Sequence, residues 1–144
     1  MDCLGHLITD VGIHADTDKM QKIRDWKQPH NYHKIQCFLG LVQYLTQFMP
    51  DVTAYTSPLS KCVRNNRQFV WTPLLHKCFE SIKTLACKSP ILKPIDTSSL
   101  DPIWVICDRS KSRVGTLYGQ GPDWQTCHLG GFLSKKFSVA QQNY

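Results

Sequence analysis

Trp104-Val105-Ile106-Cys107-Asp108-Arg109-Ser110 is an apolar run of β-type residues that ends by delivering one aspartate, and Val114 to Gln120 follows it as an alternating stretch. β-Branched and aromatic residues suit a pleated, half-buried surface, and Arg109-Ser110-Lys111-Ser112 between the two runs marks a turn. A further run at about 126 to 133 lies beyond the turn residues Gly121-Pro122-Asp123. Together they predict three antiparallel strands, about 103 to 107, 113 to 120 and 126 to 133, joined as a meander.

Upstream the pattern changes period. Ile91 to Asp101 is rich in Pro, Ser, Thr and Asp and reads as a linker. Before it, Thr72-Pro73 is a capping residue followed by proline at the first helical position, and Leu74, Leu75, Cys78, Phe79, Ile82, Leu85 and Ala86 form a stripe that Ser89-Pro90 ends. Phe69-Val70-Trp71, just ahead of it, reads as strand. Asn31 caps a second helix, in which Ile35, Phe38, Leu39, Val42, Leu45, Phe48 and Met49 recur at three- and four-residue spacing as far as Pro50. A shorter helix is expected around Thr56 to Val63, then the basic loop Arg64-Asn65-Asn66-Arg67. At the start, two apolar runs around Asp10-Val11-Gly12 signal a hairpin. Asp16 or Thr17 then caps a short helix with Met20, Ile23 and Trp26 on one face. Ser138 opens a last helical stretch. The fold class predicted is α+β: a β-hairpin and helical bundle, followed by a three-stranded antiparallel fragment.

At 144 residues, with 42% hydrophobic and 19% charged residues, the chain can bury one core but hardly two independent ones. No apolar run approaches the roughly 18 residues of a spanning helix, so no membrane is expected as a partner. The first residues carry neither a basic flank nor a long apolar segment, and no secretion signal is read there. Cysteines at 3, 37, 62, 78, 87, 107 and 127 are odd in number and never in a Cys-x-x-Cys pair, which favours reduced thiols and an intracellular setting, cytoplasmic or nuclear. The formal charge of +6 sets seventeen Lys and Arg against ten Asp and the single Glu80, a balance that suits a polyanion.

Several motifs in fixed order carry a family resemblance. Leu4-Gly5-His6-x-Ile8 with Gly12-Ile13, Ile23-x-x-Trp26-x-x-Pro29, Phe38-Leu39-Gly40-Leu41-x-x-Tyr44-x-x-x-Phe48, Pro58-Leu59 and Phe69-x-Trp71-Thr72 resemble reverse transcriptases of gypsy-class long-terminal-repeat retrotransposons. Asp108-x-Ser110, Val114-Gly115, Gln120, Gly131-Phe132-x-Ser134-Lys135-Lys136-Phe137-Ser138 and Gln142-Asn143-Tyr144 resemble the start of the RNase H-like domain that follows in those polyproteins. The resemblance implies a primer-grip hairpin and thumb-like helical region over residues 1–90, a linker over 91–102 and the N-terminal part of an RNase H-like domain over 103–144. It implies an internal piece of a polyprotein, truncated at both ends.

The family's chemistry, as the resemblance implies it, uses carboxylate clusters that hold paired Mg2+ ions. No Asp-Asp pair occurs in this chain, so DNA synthesis by the chain alone is not expected. Asp108 matches the first RNase H metal ligand, but from Pro102 onward the only other carboxylate side chain is Asp123. Arg113 stands where the family usually has a small residue, and Cys107 where a small hydroxyl is common; a cation beside a metal position disfavours the metal. The plainer role for Asp108 is a strand-end aspartate satisfying turn amides. No Mg2+ is therefore expected on this chain alone.

Binding needs less than catalysis. The resemblance places Leu4, Gly5, His6 and Gly12 against a primer strand, and makes Lys19, Lys22, Lys27, Lys34, Arg64 and Arg67 candidates for phosphate contacts with a primer-template duplex or RNA–DNA hybrid. Taken singly, each lysine reads as a solvated helix face, and Trp26 and Trp71 as core. His30, His33 and Cys37 have a spacing that could bring ligands together at a helix start, but no fourth ligand accompanies them. Two other roles stay open: a protein-interaction piece that completes its sheet with another chain, and a degenerate relic. An uncovered sheet should leave apolar surface near Val105, Leu117 and Phe132.

Overall fold

The computed structural model describes the backbone of residues 2–3 and all of residues 6–64 and 68–143. Leu4, Gly5 and Arg67 lie outside the described residues. The fold is α+β. It opens with a small antiparallel sheet in the order β1 (Asp2–Cys3), β2 (His6–Thr9) and β3 (Gly12–Ala15). The expected hairpin is β2–β3, with Thr9 opposite Gly12, and β1 adds a strand too short to leave a period in the sequence.

The helices follow. Asp16 caps α1 (Thr17–Arg24) by accepting from Asp18 and Lys19 amides, and Asn31 caps α2 (Tyr32–Gln43) through the Lys34 amide. Such caps satisfy donors that the first turn cannot pair internally. The apolar stripe read as one helix up to Pro50 is broken in the backbone. After Gln43 the chain tightens into a 3-10 turn at Thr46–Phe48, where Phe48 N–H donates to Leu45 and Met49 N–H to Thr46. Leu45, Phe48 and Met49 are all buried, so burial continues while the helix does not. α3 (Thr53–Arg64) begins earlier than expected and carries Pro58 within it. α4 (Pro73–Cys87) is capped by Thr72, whose hydroxyl accepts from the Leu75 amide, with Pro73 leading.

Phe69-Val70-Trp71 is not a strand. Phe69 lies edge-on to Tyr32 and Trp71 edge-on to Phe79, so the segment is fixed by ring packing, and among the described residues no strand pairs with it. The Pro-rich stretch after α4 is likewise more than a tether. Leu92 is buried and pairs with Ile13, its amide donating at 2.8 Å and its carbonyl accepting at 2.5 Å. Gly12, at φ 153°, is what permits this approach, because a Cβ there would sit 2.3 Å from the Leu92 carbonyl oxygen.

The last part is the meander β4 (Ile103–Arg109), β5 (Arg113–Gln120) and β6 (His128–Lys136), with α5 (Val139–Gln142) closing it through a capping box of Ser138 and Gln141. Register runs from Ile103 opposite Gln120 to Arg109 opposite Val114, and from Arg113 opposite Lys136 to Gln120 opposite His128, with an irregularity at Tyr118/Gly119. Alternation turns Arg113, Gly115 and Leu117 of β5, with Phe132 and Ser134 of β6, toward the 3-10 turn and α3. Val105, Tyr118 and Leu133 point the other way. Of the positions expected to expose apolar surface, Val105 is 61% exposed, whereas Leu117 and Phe132 are half-buried on the inward face.

The core lies almost wholly in the helices. Every fully buried apolar side chain among the described residues falls between Ala15 and Leu92, centred on Ile35, Phe38, Leu59, Phe79 and Ile82. Cys37, Cys62, Cys78, Cys87, Cys107 and Cys127 are free thiols. Among the described residues no helix is long and apolar enough to cross a membrane.

Candidate nucleic-acid interface

The expected basic residues divide into separate places. Lys22, Lys27 and Lys34 line one groove of about 640 Å³ with Trp26 and His30, where the end of α1 turns into the start of α2. Trp26 is half-buried and packs on Phe38 with ring centroids 5.8 Å apart, and its carbonyl accepts from Lys83 Nζ at 3.1 Å. The groove floor is thus anchored to the core while its three ammonium groups stand exposed. Asp25 is the one carboxylate lining it, and its charge is shared with Arg24 at 3.7 Å and with the Gln21 amide.

Lys19 lies apart, its Nζ 4.4 Å above the Tyr44 ring. His6 is near it, in contact with Phe48 and with Nε2 3.2 Å from Gln47 Nε2. Burial, then the Lys19 charge, lower the His6 pKa, and Asp16 opposes them. Gly12 is buried against Leu92 and presents no side chain to a strand. Arg64 is exposed at the end of α3. The grouping of Lys22, Lys27 and Lys34 around Trp26 was not read from sequence; the only signal was that Lys27 and His30 flank Gln28-Pro29, where the chain must turn.

Asp108 lies in a different place, an inward-facing pocket of about 180 Å³ shared with Asp51, Arg113 and Phe132. It does not hold the following turn. The Ser110 hydroxyl does, accepting from the amides of Arg113 at 3.2 Å and Ser112 at 3.4 Å. Arg113 grips Asp51 in a fork: Nε donates to Oδ1 at 3.0 Å and Oδ2 at 3.2 Å, and Nη2 donates to Oδ2 at 3.1 Å. This hydrogen bonding raises the Arg113 pKa, with the charge of Asp108 adding to it. Mg2+ requires several free oxygen ligands in near-octahedral array. Here Asp108 stands with one other carboxylate, already engaged by a cation, so the pocket does not fit the two-metal cluster that the resemblance implies. Among the described residues no group of three or more His, Cys, Asp or Glu could hold a metal. Cys37 Sγ is 3.6 Å from His33 Nε2, and His30 belongs to the groove instead.

No protein-family model matches the chain. It is 32% identical over 141 residues to the Transposon Tf2-3 and Tf2-4 polyproteins of Schizosaccharomyces pombe, an alignment covering 98% of this chain. The chain is homologous to a stretch of these retrotransposon polyproteins. That stretch is 10% of each polyprotein's length. In fold it matches the foamy viral protease-reverse transcriptase solved with an RNA/DNA hybrid, at a TM-score of 0.82 and 19% identity, over 99% of this chain and 19% of that one. The same viral protein solved with dsDNA matches at 0.83 and 19% identity, over 100% of this chain and 30% of that one. The shared fold includes the helices and the C-terminal meander, since it spans essentially the whole retrotransposon-like chain.

Proposed function

We propose that this chain is a segment of a gypsy-class reverse transcriptase and RNase H polyprotein that grips nucleic acid without performing phosphoryl chemistry itself. In this reading residues 1–90 are the primer-grip hairpin and thumb, 91–102 the connection, and 103–144 the first strands of an RNase H-like domain. The observation that carries it is the groove of Lys22, Lys27 and Lys34 around Trp26. Three ammonium groups on one anchored concavity can follow a phosphate backbone, and an aromatic edge beside them can meet a sugar or base. The viral enzyme that shares the fold is solved with an RNA/DNA hybrid and with dsDNA, which supports the same class of ligand. Asp108 contributes no chemistry while Arg113 holds its neighbouring carboxylate.

Fluorescence anisotropy of labelled primer-template duplex and RNA–DNA hybrid, titrated in salt with and without Mg2+, tests this. Three phosphate contacts predict a log-log salt slope of about −2.7 on a duplex without Mg2+, and added Mg2+ should weaken binding as a competing counterion, never strengthen it. No binding at low salt would sink it.

One observation favours a second reading as a protein-interaction piece. The outward sheet face leaves Val105 61% and Leu133 60% exposed, with Ile103 beside them. A defined oligomer in sedimentation, together with weak nucleic-acid affinity, would select that reading.

A further inference from the structure

The inward pocket of the sheet holds two carboxylates, Asp51 and Asp108, and one guanidinium, Arg113. Among the described residues Asp51 is the other carboxylate that lines the pocket with Asp108. Both Asp51 oxygens accept from Arg113, in the planar two-pronged geometry that suits guanidinium and carboxylate. Asp51 is offered from a turn in which its own φ is 48°, the left-handed region that aspartate tolerates better than most side chains. Two residues on, the Thr53 amide donates to Ser134 Oγ at 3.1 Å and the Thr53 and Ser134 hydroxyls meet. One turn is thereby tied to β5 through Arg113 and to β6 through Ser134. These are contacts 62 and 81 residues apart in sequence, so they join the helical region to the sheet.

We propose that Arg113 is a built-in cation at this pocket: it occupies Asp51, repels a divalent ion from Asp108, and turns a carboxylate pair into a latch that fixes the sheet on the helical region. The pocket is a docking device in this chain, and its affinity for Mg2+ is suppressed by a residue of its own.

Amide NMR of the full chain titrated with Mn2+ tests both parts, because a bound Mn2+ broadens the signals around it. The wild type should show no selective broadening near residues 51 and 108 at millimolar Mn2+. Arg113→Met, which keeps the stem and removes the charge, should gain selective broadening at both positions, lost again when Asp108→Asn is added. Arg113→Lys, which keeps the charge without the fork, should still exclude Mn2+. Hydrogen exchange at residues 51 to 53 should quicken in Arg113→Met if the latch is real. Broadening centred on Asp108 in the wild type would overturn the proposal, and that measurement stands even if Arg113→Met fails to fold. Binding of Mn2+ by Arg113→Lys, or unchanged exchange at residues 51 to 53 in a folded Arg113→Met, would also overturn it.

Discussion

The helices between Thr17 and Cys87 and the meander between Ile103 and Lys136 both rest on backbone hydrogen bonding, but they differ in what they bury. The helical region encloses Phe38, Phe79, Ile82 and Leu59 completely, whereas no fully buried apolar side chain belongs to the meander. Hydrogen bonds of a ladder add little net stability once water is counted as the competing partner, while apolar burial contributes about 25 cal/mol for each Å². The helical region should therefore hold the structure and the sheet should lean on it, through Arg113, Ser134 and the half-buried Leu117 and Phe132.

The largest expected effect separates the two regions outright. Phe38→Ala removes a fully buried ring in contact with Trp26 and Phe79 and should cost about 3–5 kcal/mol in urea unfolding. Val105→Ala, on the exposed sheet face, should cost no more than about 0.5 kcal/mol. Equal losses at the two sites would mean that the outward face is covered in solution.

Next comes charge. Lys22→Gln, Lys27→Gln and Lys34→Gln combined should remove essentially the whole salt slope of duplex binding, about 0.9 for each lost phosphate contact. The same exchange at Lys135 and Lys136 on β6 should leave it near its wild-type value. A slope that responds only to the β6 lysines would move the interface to the sheet.

The smallest effect lies at His6, on the first sheet. Burial and the Lys19 charge disfavour its protonation in the folded chain, so its folded pKa lies below the ordinary 6.5. The stabilisation this gives is complete above pH 6.5 and is lost as pH falls through the lowered value. The melting temperature should fall from pH 7 to pH 5, and His6→Gln should flatten that fall. Asp96, held below its usual range by the Ser98 hydroxyl and amide, acts only below about pH 4 and stays out of this window.

What could be read from sequence follows the same division. α2 and α4 were legible because a core on one side imposes a 3.6-residue period, and Asn31 and Thr72 announced their starts. The strands were legible in number, but β4 and β6 run to Arg109 and Lys136, past their apolar stretches, because ladder bonds do not require apolar side chains. Phe69 to Trp71 misled because aromatic residues suit both a strand and a ring cluster, and only the presence of a partner strand decides between them. The joints were invisible. Leu92 meeting Ile13, and Asp51 meeting Arg113, are single long-range contacts without periodicity. Asp108 was placed correctly on its strand, but the carboxylate that shares its pocket comes from a turn 57 positions earlier by numbering, and nothing local points to it.

The most direct measurement is amide chemical-shift mapping of the ¹⁵N-labelled chain with a short primer-template duplex. Perturbations should centre on residues 22 to 34, around Lys22, Trp26, Lys27 and Lys34, and leave β4 to β6 largely unmoved. Perturbations centred on the meander, with the helical groove silent, would contradict the division of labour between the two regions.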